Sequence, residues 1–135
     1  MDALSSPTSA RIRAMQAAGM DLDNCPVRTV VSRIGSKWTP LLLQLLAERP
    51  HRFSELRRLV PDISQRMITQ TLRDLERDGY VYREVQPTKP PSVTYSLTEM
   101  GQSLFDSYRH LLDWAEANHH AVRAARTVFD QRESA

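Results

Sequence analysis

The stretch 63–79 constrains the fold of this chain more than any other part of the sequence. Its apolar residues Ile68, Leu72 and Leu75 stand at i, i+4 and i+7, which places them on one face of an α-helix. Ser64 lies just before this periodic run, where a residue that caps the helix N-terminus belongs. The closing glycine lies where a helix ends and the chain turns. We therefore predict an amphipathic helix with one buried stripe.

The opposite face of this helix carries side chains that suit nucleic acid. Arginine pairs with guanine edges or phosphate, glutamine with adenine edges, and threonine with phosphate or the thymine methyl group. The same residue types also form ordinary solvated faces, so the flanking elements have to decide between the two interpretations. The outward residues are Gln65, Arg66, Thr69, Gln70 and Arg73.

A shorter helix is predicted over 54–60, after a turn that could include a short strand over 51–53. Pro61-Asp62 breaks the chain, and the helix of stretch 63–79 follows about four residues later. Two helices joined by so tight a turn form a helix-turn-helix. The residues expected to face inward are Phe53, Leu56 and either Leu59 or Val60, and those expected to face outward are Arg57 and Arg58.

A β-hairpin is predicted next. Residues 80–85 and 92–97 alternate in polarity and are rich in β-formers. The loop between them, 86–91, is stiffened by prolines and carries Lys89. A hairpin in this position is the wing of a winged helix. The predicted fold class is therefore mainly α with a small β-hairpin wing.

The last helix, which Thr98 is expected to cap, carries a heptad seam of its own. A domain that already has a core does not need such a seam, so the pattern favours a homodimer over packing of this face back on its own domain. Trp114 lies beside the seam. The seam residues are Leu104, Tyr108, Leu111, Ala115, Asn118, Val122, Ala125 and Phe129.

Two more helices are predicted upstream of the helix-turn-helix. The first runs from Pro26 to Ile34, with Cys25 or Asn24 as its cap, and ends at Gly35-Ser36. The second follows Ser36 or Thr39 as cap and is apolar nearly all round over 41–47, as expected of the centre of a core. Residues 1–20 are expected to be a flexible arm with a short basic helix over 10–18.

The composition restricts the class of protein. At 135 residues, with 41% hydrophobic and 25% charged residues, the chain is expected to be one globular domain with short arms. No apolar run approaches the ~20 residues of a membrane span, and the N-terminus lacks the pattern of a signal peptide. The net charge of +2 is too small to indicate nucleic-acid binding by itself. A single cysteine excludes an intrachain disulfide and fits the cytoplasm.

In this order and spacing the motifs resemble the HxlR-type family of winged helix-turn-helix transcription regulators, which have a MarR-like winged helix. The resemblance spans about residues 25–115. It implies a homodimer that binds a near-palindromic operator as repressor or activator. Ser36 stands where the family usually has a second glycine, and Ile68 where leucine is common. The stretches that carry the resemblance are Cys25-Pro26, Ile34-Gly35-Ser36-Lys37-Trp38, Arg52-Phe53-Ser54-Glu55-Leu56, 63–79, Pro90-Pro91-Ser92-Val93-Thr94-Tyr95-Ser96-Leu97-Thr98 and Gly101.

This interpretation assigns roles to the candidate residues. Gln65, Arg66, Thr69 and Gln70 lie in the first turns of the recognition helix and are expected to meet base edges in the major groove. The more distant basic residues are expected to bind phosphate, which fixes the register and makes the affinity sensitive to salt. These phosphate-binding candidates are Arg73, Arg57, Arg58 and Lys89.

Cys25 is a candidate redox or electrophile sensor. The thiolate of a cysteine at a helix N-terminus is stabilised by the positive end of the helix dipole. The resemblance supports this role, because several members of the family sense oxidants or reactive carbonyl compounds through a cysteine at this position. The alternative is an inert residue in a regulator that responds to a small molecule.

Two rival functions are a winged helix used only for protein contacts and a small enzyme. The arginines around the two central helices argue against the first, and no nucleophile–base pair or cofactor motif supports the second. The four histidines do not form a metal-binding spacing. We expect a non-enzymatic regulator without cofactor or metal, whose partners are double-stranded DNA, a second copy and possible inducers. The expected division is an arm over 1–20, a DNA-binding domain over 21–98 and a dimerisation helix over 99–135.

Overall fold

The computed structural model describes residues 6–19 and 25–135. The chain divides into two compact units, Met1–Pro40 and Leu41–Ala135, and the boundary falls in the first turn of one helix. The elements in chain order are α1 (Pro7–Ala17), α2 (Pro26–Ile34), α3 (Thr39–Glu48), β1 (His51–Arg52), α4 (Phe53–Leu59), α5 (Gln65–Arg77), β2 (Val81–Gln86), β3 (Ser92–Leu97) and α6 (Glu99–Glu133).

The first unit contains α1 and α2. Helix α1 starts at Pro7, earlier than the predicted residue 10, because the Ser6 hydroxyl accepts a hydrogen bond from the backbone N–H of Ser9 at 3.1 Å. It is followed by Gly19 with φ +87°. Helix α2 starts after Cys25 and ends at Gly35, as predicted. The alternative cap of α2, residue 24, and residues 1–5 and 20 of the predicted arm lie outside the described residues.

The core of the second unit is formed by leucine and isoleucine side chains from three helices. Helix α3 contributes its buried leucines but also presents Leu41 and Gln44 to solvent, so it is less completely buried than its sequence predicted. The sequence left open whether Leu59 or Val60 faces inward at the end of α4. Val60 is buried, whereas Leu59 is exposed. Six core side chains are almost completely inaccessible: Leu42, Leu43, Leu56, Ile68, Leu72 and Leu75.

Helix α5 begins and ends where the sequence predicted. The Ser64 hydroxyl accepts a hydrogen bond from the backbone N–H of Met67 at 3.1 Å, and Gly79 follows the helix with φ +83°. Thr71 is buried beside the apolar stripe, which the sequence did not indicate. Its hydroxyl donates to the Met67 carbonyl at 2.8 Å, so burial leaves no polar group unsatisfied.

The predicted hairpin is part of a three-stranded antiparallel sheet with the order β1-β3-β2. Strand β2 begins one residue later than predicted, and β3 has the predicted bounds. The short β1 pairs His51 with Tyr95 and Arg52 with Thr94. His51 is buried, and its Nδ1–H donates to the Arg49 carbonyl at 2.8 Å. The wing is therefore anchored at its base to the segment that begins the helix-turn-helix.

Helix α6 is 35 residues long, or roughly 50 Å at the usual helical rise. Its Thr98 cap accepts from the backbone N–H of Gly101 at 3.0 Å, as predicted. Tyr108 is the last buried seam residue, and beyond it the helix is exposed on nearly all sides. No helix in the described part of the chain is long and apolar enough to cross a membrane. The large apolar side chains exposed on this half are Leu111, Trp114, Val122, Val128 and Phe129.

Candidate nucleic-acid interface

The outward face of α5 forms one continuous polar strip. All five predicted residues are exposed, and together they line a shallow concavity of about 470 Å³. One of them is engaged within the helix, since the Gln70 side-chain N–H donates to a carboxylate oxygen of Asp74 at 3.0 Å. The side chain of Gln70 is therefore held in place by this hydrogen bond. The other side chains of the face have no such bond to a carboxylate of the described residues: Gln65, Arg66, Thr69 and Arg73.

A larger groove separates α5 from the wing. We call this cavity of about 730 Å³ the wing groove; Gln65 and Thr69 of α5 line it, together with residues 88 and 90–93 of the wing. Arg52 and Arg83 also line it, and the lining includes no aspartate or glutamate from the described part of the chain. The wing groove is thus a basic and polar space directly beside α5.

Helix α4 presents a third basic surface. Arg57 and Arg58 are exposed and line a shallow depression of about 380 Å³ together with Ser54. Neither arginine forms an ion pair with a carboxylate of the described residues. The two arginines are therefore available to an anionic partner.

The acidic residue at the start of α4 is already neutralised. Glu55 pairs with Arg49, Oε2 to Nη2 at 2.9 Å, and its Oε1 accepts from the backbone N–H of Arg52 at 3.2 Å. The Arg49 side chain, followed by the Arg52 backbone, lowers the pKa of Glu55 below its usual value. Glu55 therefore does little to offset the positive charge of α4.

The wing carries a side-chain brace that sequence reasoning missed. The side-chain Oε1 of Gln86 accepts hydrogen bonds from the hydroxyls of Ser92 and Thr94, each at 3.0 Å. Nearer the tip, the Thr88 hydroxyl donates to the Pro90 carbonyl at 2.8 Å. Lys89 lies between these two residues, exposed and outside the wing groove lining. The signal in the sequence is that polar side chains face one another when the two strands of the hairpin pair.

Cys25 belongs to the first unit. It is the N-cap residue of α2 and is partly exposed, and its side chain makes no capping hydrogen bond. Its backbone carbonyl accepts from the N–H and the hydroxyl of Thr29, at 3.0 and 3.1 Å. The thiol is therefore not used in holding the helix.

Metal binding has no support in the described residues. No group of three or more histidine, cysteine, aspartate or glutamate side chains there could hold an ion. The rings of His119 and His120 lie 5.9 Å apart, centre to centre, on the exposed part of α6.

The family is decided by comparison with known proteins. The model of the HxlR-like helix-turn-helix family matches residues 33–123. The chain belongs to the HxlR-like helix-turn-helix family. Its members include regulators of transcription, as the names of its relatives state.

The similarity to individual members of the family extends over most of the chain. The HTH-type transcriptional regulator YdeP of Bacillus subtilis (strain 168) is 49% identical over 96 residues, which are 71% of this chain and 75% of YdeP. The structure of the redox regulator HypR in its reduced form matches with a TM-score of 0.70 and 41% identity, over 74% of this chain and 99% of HypR. The reduced form of YodB from B. subtilis matches with a TM-score of 0.63 and 35% identity, over 68% and 91%.

Proposed function

We propose that this HxlR-type transcriptional regulator is a homodimer that binds a near-palindromic operator in double-stranded DNA by inserting α5 into the major groove. The observation that carries the proposal is the outward face of α5. Its five polar and basic side chains line one concavity without a carboxylate from the described residues among them. A winged helix used only for protein contacts would have no need of this basic and polar face.

The assignment of contacts follows the geometry of a helix in the major groove. Gln65, Arg66, Thr69 and Gln70 lie in the first turns of α5 and are assigned to base edges. Arg73 lies further along and is assigned to phosphate. The remaining phosphate contacts are assigned to Arg57 and Arg58 of α4 and to Lys89 of the wing, all three of which are exposed.

The proposed homodimer rests on α6. The exposed half of this helix carries Leu111, Val122 and Phe129 along the heptad seam. A second copy of the helix would remove these side chains from water, at about 25 cal/mol for each Å² of apolar surface. Two α5 helices held in this way would read half-sites about one or two turns of DNA apart. As a DNA-binding regulator, the protein would act in the cytoplasm.

We assign the sensing of oxidants or electrophiles to Cys25. It lies partly exposed at the N-terminus of α2, so a small oxidant or electrophile can reach its thiol. Among the similar structures, HypR is named a redox regulator and YodB has been studied after diamide treatment. With one cysteine per chain, oxidation would join two thiols from two chains, or Cys25 and a small thiol; two protons and two electrons pass to the oxidant.

A mobility-shift titration on the DNA upstream of the protein's own gene tests the proposal, with and without diamide. If the regulator responds to oxidation, the wild type loses DNA binding when diamide is added, and the Cys25→Ser variant still binds DNA in the presence of diamide. Binding that is indifferent to diamide would support the second candidate, a regulator with an inert cysteine that responds to a small molecule. If the upstream DNA does not bind, selection from genomic fragments comes next, and failure of that selection would overturn the DNA-binding proposal.

A further inference from the structure

We propose that Asp74 is a positioning residue that fixes the orientation of the Gln70 amide, and that the amide held in this way selects adenine over guanine. The inference rests on the proposed DNA-binding function, in which Gln70 is assigned to base edges. It adds a second residue to that contact and names the base that is read. Asp74 itself is not a phosphate contact, because its side chain is a carboxylate.

One hydrogen bond joins the two side chains. The Nε2–H of Gln70 donates to Oδ1 of Asp74 at 3.0 Å, across one turn of α5. Gln70 is exposed and Asp74 is half-buried, so an exposed amide is tied to a carboxylate that the fold partly encloses. A half-turn of the amide would bring Oε1 against the carboxylate, and two acceptors without a proton between them repel each other. Asp74 therefore determines which end of the Gln70 amide is the acceptor.

The groups that remain on this amide match adenine. A glutamine side chain has one acceptor oxygen and two N–H donors. Because Asp74 takes one N–H, Gln70 offers a base Oε1 and a single N–H. In the major groove adenine presents the N6 amino group as donor and N7 as acceptor, whereas guanine presents two acceptors, O6 and N7. The held amide can therefore pair with both groups of adenine, and its Oε1 would meet an acceptor of guanine.

A second pair of the same kind separates base selection from simple helix stabilisation. In α6 the Nε2–H of Gln102 donates to Oδ1 of Asp106, also at 3.0 Å and also across one turn. Such pairs stabilise a helix wherever they occur. Gln70, unlike Gln102, lines the concavity on the outward face of α5. If the hydrogen bond only stabilised the helix, the two pairs would be equivalent in a DNA-binding experiment.

The negative charge of Asp74 gives the proposal a distinctive signature. A carboxylate beside the DNA-binding face repels the phosphates of every sequence, so it weakens binding to all DNA alike. A residue in this position that improves discrimination therefore does so at the expense of affinity. Removing the charge of Asp74 should tighten binding to random DNA and at the same time reduce the preference for one base.

The experiment uses full-length protein and the DNA fragment that the wild type selects from genomic DNA. Each base pair of the bound site is replaced in turn, and affinity is measured by fluorescence anisotropy at one salt concentration. The position read by Gln70 is the one at which Gln70→Ala loses the base preference of the wild type. There we expect the wild type to prefer adenine over guanine by at least about fivefold, as a bidentate pair does. Replacing that adenine with purine, which lacks the N6 amino group, should weaken binding of the wild type but not of Gln70→Ala.

Three variants test the role of Asp74. Asp74→Asn should reduce the preference to about twofold or less, because an asparagine amide can accept or donate and so tolerates both orientations of Gln70. Asp74→Glu keeps a carboxylate within reach and should keep most of the preference. Asp106→Asn removes the same charge and the same kind of hydrogen bond from α6 and should change neither the preference nor the affinity for random DNA.

A double substitution separates the orientation of the amide from the charge. In the Gln70→Ala protein, Asp74→Asn should have no further effect on base preference but should still tighten binding to random DNA. An equal preference in wild type and Asp74→Asn, an equal loss in Asp74→Asn and Asp106→Asn, or a preference for guanine at the Gln70 position would overturn the inference and leave the DNA-binding proposal in place. If Gln70→Ala kept every base preference of the wild type, the inference would fail together with the base contact of Gln70. A wild type that selects no DNA would overturn the DNA-binding proposal itself.

Discussion

The backbone of Gly101, in the first turn of α6, lies so close to Tyr80 that a β-carbon at position 101 would overlap with the Tyr80 carbonyl oxygen. Two hydrogen bonds of Thr98 hold the same junction: its hydroxyl donates to the Gly79 carbonyl at 2.6 Å, and its N–H donates to the Tyr80 carbonyl at 3.1 Å. The start of α6 is thereby fixed to the chain that leaves α5. The start of α6 and the end of α5 are therefore held together through residues 79–80.

We predict that Gly101→Ala destabilises the protein by roughly 1–3 kcal/mol, because the added methyl group forces the backbone of α6 away from Tyr80. The sign is diagnostic, since glycine to alanine inside a helix ordinarily stabilises it by about 1 kcal/mol. Urea unfolding followed by circular dichroism measures the change. Ser103→Ala, an exposed position two residues further along α6, is the control and should change the free energy of unfolding by less than about 0.5 kcal/mol. A stabilised Gly101→Ala protein would contradict the prediction.

We predict that Glu55→Gln destabilises the protein at neutral pH and has less effect in acid. The Arg49 side chain lowers the pKa of Glu55 in the folded state, so the ionised carboxylate stabilises the fold above the ordinary pKa of 4.5. That contribution is lost as the pH falls through the lowered folded pKa. The melting temperatures of wild type and Glu55→Gln, measured from about pH 7 to pH 3, should therefore converge at the acidic end. The melting temperature of Arg49→Gln should converge with that of the wild type in the same way. A difference in melting temperature that stays constant from about pH 7 to pH 3 would show that the ion pair is not its cause.

The sequence predicted the parts of the fold in which one local signal decides one structure. Ile68, Leu72 and Leu75 are all buried, because helical spacing of apolar residues leaves a single face that can enter the core. Ser64 and Thr98 both cap the helices that follow them, since a hydroxyl at that position satisfies a backbone N–H that has no partner in the helix.

The missed features depend on residues that are distant in sequence. The pairing of β1 with β3 joins His51 to Tyr95, and no local pattern around His51 indicates that partner. The sequence indicates no role for Arg83 beyond a position in a predicted strand, and its place in the wing groove follows only from the fold, in which it pairs with Tyr95. The residue types proposed to bind DNA could be chosen from the sequence, whereas the groove between α5 and the wing is visible only in the fold.

We predict that Val122→Glu converts the proposed dimer to monomer. Val122 lies on the heptad seam of α6, and a second copy of the helix would bury a carboxylate there without a partner. The dimer should weaken by at least about tenfold, which equals 1.4 kcal/mol. Sedimentation equilibrium of the purified protein measures the dissociation constant. His120→Glu introduces the same charge on the far side of the exposed helix and should leave the dimer intact. If both variants dissociated to the same extent, or neither did, the result would contradict dimerisation through the heptad seam.

We predict that Arg66→Ala and Lys89→Ala weaken DNA binding in different ways. Arg66 is exposed in the first turn of α5, where a guanidinium meets base edges, so its loss should cost about 1–3 kcal/mol on the selected operator and little on random DNA. Lys89, at the wing tip, should contact phosphate only. Its loss should weaken operator and random DNA alike and reduce the salt slope by about 1 per subunit. Anisotropy titrations of both variants on both DNAs measure these changes, with each variant as the control for the other. If Arg66→Ala lowered the two affinities equally, Arg66 would have to be reassigned to the phosphate contacts.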